Sequence, residues 1–191
     1  MARPKNIPGQ DKAYDRIVKA FWLELSEKNY SEMTVSALAK RANVNHNSLY
    51  YYFSNLDEIA QRLFIENMND GEVAQCLFEF MLNSSSVEDL LSRPNIIMRL
   101  SRAKLYARGD SAYLMNLFQQ SIMSVWLNGN NLSSDKLTIE DRHELKFIFG
   151  GLTTLLGSYE YSDIPKMFSA LTNSEIGTAV KNTLKRIRAK L

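Results

Sequence analysis

The chain has 191 residues, 45% of them hydrophobic and 23% charged, a composition that suits one large soluble domain or a small domain joined to a larger one. Its 23 basic and 21 acidic side chains give a formal net charge of +2, so any contact with nucleic acid must come from local placement of donors rather than from a cationic blanket. The single cysteine, Cys76, excludes an intrachain disulfide, no apolar run follows the basic N-terminal residues, and the most apolar stretch, 147–156, is too short to span a bilayer. The expected location is the cytoplasm, with Cys76 as a packing residue beside Leu77 and Phe78.

The hydrophobic period is helical throughout, which predicts an all-α fold. Residues 1–10 carry two prolines and a glycine and read as a flexible arm bearing Arg3 and Lys5. A first helix begins near Asp11, where Tyr14, Ile17, Val18, Phe21, Trp22 and Leu25 form one apolar stripe, and Asn29-Tyr30-Ser31 breaks it. Thr34 is placed to cap a short helix from Val35 to about Arg41. Asn43 falls where a left-handed residue ends that helix, and Asn45 caps a third helix over 46–53. Asn55, followed by Asp57 and Glu58, starts a fourth helix toward Asn69. Further helices are predicted at about 72–83, 87–92, 95–108, 111–128, 139–159, 164–171 and 174–190, with Ser86 and Thr138 as caps and Pro94 and Pro165 at helix starts.

Residues 34–53, Thr-Val-Ser-Ala-Leu-Ala-Lys-Arg-Ala-Asn-Val-Asn-His-Asn-Ser-Leu-Tyr-Tyr-Tyr-Phe, carry the pattern of a helix-turn-helix. Ala39 is small where two helices meet steeply, and Leu38, Ala42, Val44, Leu49 and Phe53 are spaced to fill the wedge between them. Ser36, His46, Asn47, Ser48, Tyr51 and Tyr52 are left to face outward, all with hydrogen-bonding tips and none acidic. Such a helix fits a major groove, where Asn reads adenine and hydroxyls bind phosphate or base edges. The helix starts at Thr34 and His46 offer free N–H groups to phosphate.

Over residues 11–64 the sequence resembles the TetR/AcrR family of bacterial transcriptional regulators. The resemblance rests on Ile17, Ala20, Phe21, Leu25, Tyr30, Thr34-Val35, Leu38-Ala39, Ala42, Val44, Leu49-Tyr50-Tyr51-Tyr52-Phe53 and Asp57-Glu58-Ile59. It implies a homodimer with a three-helix DNA-binding head (11–56) and a C-terminal helical bundle (57–191) that dimerises and answers to a small apolar or amphipathic effector. It also implies phosphate contacts from Thr34, Tyr50 and Tyr51, and positions near bases for Ser36, His46, Asn47, Ser48 and Tyr52. Three departures from the family pattern stand out. Asn43 replaces the turn glycine, Asn47-Ser48 replaces Gly-Thr or Pro-Thr, and Leu56 replaces a lysine that would touch phosphate. The recognition helix carries no Lys or Arg, so phosphate attraction leans on the arm, Lys40 and Arg41, and the salt dependence is expected to be modest for the family.

In the C-terminal part, Met and aromatic residues fill a bundle core, and Tyr106, Tyr113, Phe118, Met123 and Trp126 are candidates to line an effector pocket. Two helices are candidates for the dimer interface, one with Phe147, Gly150, Gly151 and Thr154, the other with the stripe Ile176, Val180, Leu184 and Ile187. Glycines inside a helix are costly unless another backbone comes close. The basic run Arg93, Arg99, Arg102, Lys104, Arg108 reads as a solvated face, with an anionic effector or partner as the other reading, and the cluster Lys181, Lys185, Arg186, Arg188, Lys190 complements a helix C-terminus. No metalloprotease, nucleophile-elbow, phosphate-loop or Cys/His metal motif is present, so neither an enzyme nor a cofactor is expected. The function expected is repression from a palindromic operator, relieved by the effector. Alternatives are a constitutive DNA-binding dimer, an activator, and a helical interaction module whose degenerate head no longer reads DNA.

Overall fold

The structure, a computed structural model, describes residues 12–68 and 94–190; the arm with Arg3 and Lys5, Cys76, Met81, Arg93 and the helices expected at 72–83 and 87–92 lie outside them. The described residues are helical and contain no strand. They fall into two compact units that divide between Leu63 and Phe64.

The first unit is built on α1, Lys12–Glu27, whose buried side chains Tyr14, Ile17, Phe21 and Leu25 recur every three or four residues. After it the chain makes a single 3-10 turn, Tyr30–Glu32. Tyr30 is buried there and its hydroxyl donates to Asp57 Oδ1 at 2.6 Å. Next come α2, Val35–Arg41, and α3, His46–Tyr52, both packed on α1 and on each other. The fourth helix, α4, Leu56–Met68, starts in this unit and ends in the other. Its first turn is closed by Asn55 Oδ1, which accepts from Glu58 N at 2.8 Å, and by Glu58 Oε2, which accepts from Ser54 N at 2.6 Å.

In the second unit α5, Pro94–Ala107, α6, Ala112–Gly129, and α7, Ile139–Ser158, pack mutually. Two shorter helices, α8, Ile164–Thr172, and α9, Glu175–Arg188, pack together, and α9 also packs on α7. Phe64 lies 4.6 Å from Tyr106 and 5.2 Å from Phe118, ring centre to ring centre, while Trp126 sits 6.1 Å from Phe149. Close backbone approach occurs at Gly157 and Gly177, where an added Cβ would fall 1.8 Å from the Ala107 carbonyl oxygen and 2.0 Å from that of Leu171. At Gly150 and Gly151 no such approach exists among the described residues: the nearest of their atoms to a Gly150 Cβ is Gln119 Nε2 at 3.8 Å, and none lies within 4 Å of a Cβ at Gly151.

Two charge patterns take a different form from the one the sequence suggests. Arg99, Arg102, Lys104 and Arg108 are each half-buried rather than a solvated face. Arg108 pairs with Asp110 at 2.9 Å, and Lys104 lies 3.6 Å from Glu160. Of the C-terminal basic residues, Arg186 and Lys190 reach across to a fully buried acid, Asp141, at 3.1 and 2.5 Å, and Arg186 also pairs with Glu144. Asp141 at the same time closes the α7 capping box, accepting from Thr138 N at 3.0 Å while its own N–H donates to Thr138 Oγ1 at 3.2 Å. Lys190 first, with the Thr138 and Arg186 hydrogen bonds behind it, outweighs burial and holds the Asp141 carboxyl well below the usual carboxylate range.

A carboxylate with a lowered folded-state pKa stabilises the fold above the ordinary carboxylate range and loses that contribution as pH falls below it. Asp141→Asn is therefore expected to cost about 1–2 kcal/mol at neutral pH, the figure reduced because both cations are partly exposed. It should also flatten the acid limb of the stability curve. Urea melts of both proteins from pH 7 down to pH 3 check this, and parallel acid limbs would count against it.

Candidate DNA interface

Two short helices and the turn between them make the site. Thr34 Oγ1 accepts from Ala37 N at 3.1 Å and closes the start of α2. At its end Asn43 takes a φ of 50°. Asn43 N donates to Lys40 O at 3.1 Å and Val44 N to Ala39 O at 3.0 Å, the paired bonds of a Schellman turn. Asparagine tolerates that left-handed backbone better than any residue except glycine, which is how this chain dispenses with a turn glycine. Asn45 Oδ1 then accepts from Ser48 N at 2.6 Å and starts α3. Leu38, Ala39, Ala42, Leu49 and Phe53 are buried in the wedge, and Val44 is half-buried beside them.

The outward face carries Thr34, Ser36, His46, Asn47, Tyr50 and Tyr51, all exposed; Tyr50 is 53% and Tyr51 67% accessible, far from the burial that aromatic residues normally seek. His46 and Tyr50 are neighbours, with ring centres 6.3 Å apart. Ser48 is half-buried, its N–H held by Asn45. Tyr52 differs most from the sequence expectation. It is half-buried, set edge-on to Tyr14 at 5.8 Å and to Tyr51 at 5.0 Å, so it links the outward face to the core instead of standing free.

Arg41 also departs from expectation. Its Nε lies 2.8 Å from Glu24 Oε1, and its terminal nitrogen hydrogen-bonds Glu27, the bond that chiefly lowers the Glu27 pKa. Glu24 is buried and is further paired with Lys28 on α1. Arg41 thus ties α2 to α1, and Lys40 stays on the exposed side. Sequence reasoning also passed over Arg62, whose guanidinium carbon lies 5.3 Å from the Tyr14 ring centre and 5.5 Å from that of Phe53. Its only sequence signal was a position one turn after Glu58.

The C-terminal candidates separate in the same way. Tyr106, Phe118 and Trp126 are fully buried core side chains, and Tyr113 is exposed. Met123 lines an open groove of about 470 Å³ with Gln120, Ser124, Leu127, Asn128 and Leu132. Phe147 is 82% and Ile176 68% exposed, Gly151 and Thr154 are exposed, and Gly150 and Val180 half-buried. Leu184 and Ile187, grouped by periodicity with that surface, are instead buried within the chain, because α9 turns this side of its stripe inward.

A capped pair of seven-residue helices joined by a left-handed turn and packed on α1 defines a helix-turn-helix head of the DNA-binding class. Residues 17–63 match the sequence model of the bacterial regulatory proteins of the tetR family. Two solved structures are similar to the chain over nearly their whole length. One is the fatty acid degradation regulator FadR from Bacillus halodurans, with 20% identity over 95% of each chain and a TM-score of 0.47. The other is a TetR-family transcriptional regulator from Streptomyces coelicolor, with 18% identity over 93% of this chain and 99% of that one and a TM-score of 0.45. No protein of curated function matches the sequence. Among the described residues no helix is long and apolar enough to cross a membrane.

Since the turn rests on a non-glycine residue at positive φ, Asn43→Ala should cost about 1 kcal/mol, whereas Asn43→Gly should leave stability equal or higher. Chemical denaturation of the three proteins decides it. An alanine variant as stable as the parent would mean that the turn relaxes to another backbone.

Proposed function

We propose that the protein is a cytoplasmic, dimeric transcriptional repressor that binds a palindromic operator through α2 and α3 and leaves it when a small molecule binds the C-terminal part. The observation that carries the reading is the outward face of α3. His46, Asn47, Tyr50 and Tyr51 stand exposed with no acid among them, on a helix whose start is fixed by Asn45. In this reading Thr34, Tyr50 and Tyr51 bind phosphates, and Ser36, His46, Asn47 and Ser48 meet base edges. Tyr52, linked edge-on to Tyr14, supports the interface from behind. Residues 1–10 serve as an arm, 11–56 as the head and 57–191 as the effector and dimer domain, with no catalytic step or cofactor. While bound to DNA the protein sits with the nucleoid.

Dimerisation follows from geometry: two recognition helices must stand about 34–36 Å apart to enter successive major grooves. The exposed Phe147 with Gly150, Gly151 and Thr154 on α7, together with Ile176 and Val180 on α9, supplies an apolar surface for a second copy. The effector is apolar or amphipathic, and it acts only through its different affinity for the DNA-bound and DNA-free states.

Purified protein should shift its own upstream intergenic DNA saturably in a gel across a salt series. Tyr51→Ala and His46→Ala should each weaken that shift about tenfold or more. Weak, sequence-indifferent binding lost in moderate salt would instead favour a helical interaction module. By sedimentation, the parent is expected to be a dimer at micromolar concentration and Phe147→Glu a folded monomer, since a charge at the centre of an apolar contact has no partner there. A parent that sediments as a monomer would remove the paired-helix arrangement.

A further inference from the structure

We propose that Arg62 is a positioning residue for the DNA face: from α4 it fixes the C-terminal turn of α3, and through that turn it sets the place of Tyr51. The inference rests on the DNA-binding reading above, and it adds a residue that makes no contact with DNA.

The start of α3 is held by the Asn45 cap. At its end Phe53, the residue after the helix, is extended and donates its N–H to Leu49 O at 3.1 Å. What restrains this end is a cluster of rings. Phe53 stacks on Tyr14 at 5.7 Å with 24° between planes, Tyr52 meets Tyr14 edge-on at 5.8 Å, and Tyr51 meets Tyr52 at 5.0 Å and 88°. The Arg62 guanidinium lies over both members of the stack, 5.3 Å from Tyr14 and 5.5 Å from Phe53. Two nearly parallel rings side by side suit one broad, planar, weakly hydrated cation and suit a compact ammonium less well. Glu58, one turn earlier on α4 and attracted to Arg62, accepts the Ser54 N–H at 2.6 Å. The two α4 side chains therefore grip both sides of the 53–54 junction. From Arg62 the path runs through Phe53 and Tyr14 to Tyr52 and ends at Tyr51, which is 67% exposed on the outward face.

The test is Arg62→Met, which keeps the apolar stem and loses the charge, beside Arg62→Lys, which keeps a cation. The probe is the upstream DNA that the parent shifts. Arg62→Met should bind about five-fold more weakly, with Arg62→Lys in between. The slope of log affinity against log salt should be unchanged, because no phosphate contact is lost. The Arg62→Met and Tyr51→Ala losses should not add, whereas Arg62→Met and Ser36→Ala should add, as Ser36 lies outside the ring cluster. Amide exchange of DNA-free protein should be faster at residues 50–54 in Arg62→Met, with α1 unchanged.

Unchanged affinity would overturn the proposal. So would a slope lower by about one, which would place Arg62 on a phosphate. An affinity loss accompanied by faster exchange throughout the head would also overturn it, as general unfolding. If the parent itself fails to shift any DNA, the DNA-binding reading falls, and the exchange measurement alone still decides whether Arg62 holds the end of α3.

Discussion

A helix of seven residues cannot persist in water by itself, because the unfavourable first turn is repaid by too few further hydrogen bonds. Both helices of the candidate DNA interface are of this length, so their existence depends on what surrounds them. Three kinds of support converge. Thr34, Asn45 and the Asn43 turn satisfy backbone groups at the helix ends; Leu38, Leu49 and Phe53 remove apolar surface from water; and the ring stack on Tyr14 restrains the last turn. The first support is local in sequence and the others are not. The α2–α3 pair therefore holds its shape only while α1 is in place, and Tyr14 is the point at which α1, α3 and α4 meet.

This arrangement also decides how charge is used. The head could have offered Arg41 to phosphate, yet its guanidinium is occupied by Glu24 and Glu27, and the buried Glu24 holds both Arg41 and Lys28 against it. Arg62 is likewise turned to the rings. With no Lys or Arg on α3 and a net charge of only +2 for the whole chain, the proposed reading leaves attraction to DNA to the arm and the exposed Lys40, and otherwise to hydroxyls, imidazole, amide and helix-start N–H groups. Such donors reward correct geometry more than proximity. A face that reads through neutral donors needs its helix held in register, which is the work of the cap at one end and the ring cluster at the other.

The parts of the fold readable in the sequence are those whose cause lies within four or five residues. Caps at Thr34, Asn45, Asn55 and Thr138, the left-handed Asn43, and the inward wedge of Leu38, Leu49 and Phe53 follow from short-range hydrogen bonding and helical period. Tyr51 was legible as outward, but the same reading turned Tyr52 outward, because it does not say which of three consecutive rings a neighbouring helix covers. What period alone does not carry is the identity of the neighbour. It placed Ile176, Val180, Leu184 and Ile187 on one stripe, but the stripe is divided, Leu184 and Ile187 inward and Ile176 outward. The Arg41 pairing needed the crossing of α2 over α1, and the meeting of Arg186 and Lys190 with Asp141 joins residues 45 and 49 positions apart. Tyr106, Phe118 and Trp126 form core for the same reason: an aromatic at helical spacing is buried by whichever helix reaches it first.

The glycines bring these threads to the C-terminal unit. Four lie within helices α7 and α9, and they divide sharply by surroundings. Gly157 and Gly177 press against carbonyl oxygens that any Cβ would strike, so their cost to the helix is offset inside the chain. Gly150 and Gly151 have no comparable neighbour among the described residues, and each weakens α7 relative to alanine by about 1 kcal/mol. With Phe147 and Thr154 they occupy positions i, i+3, i+4 and i+7, a single face. On that face a large exposed ring stands beside two residues with almost no side chain, a ridge next to a hollow. Such a shape is self-complementary across a twofold axis, because the ring of one copy can enter the hollow of the other. In the proposed dimer, the glycines that are a liability in the single chain are sites of close approach between two copies, which is a physical reason for the helix to tolerate them.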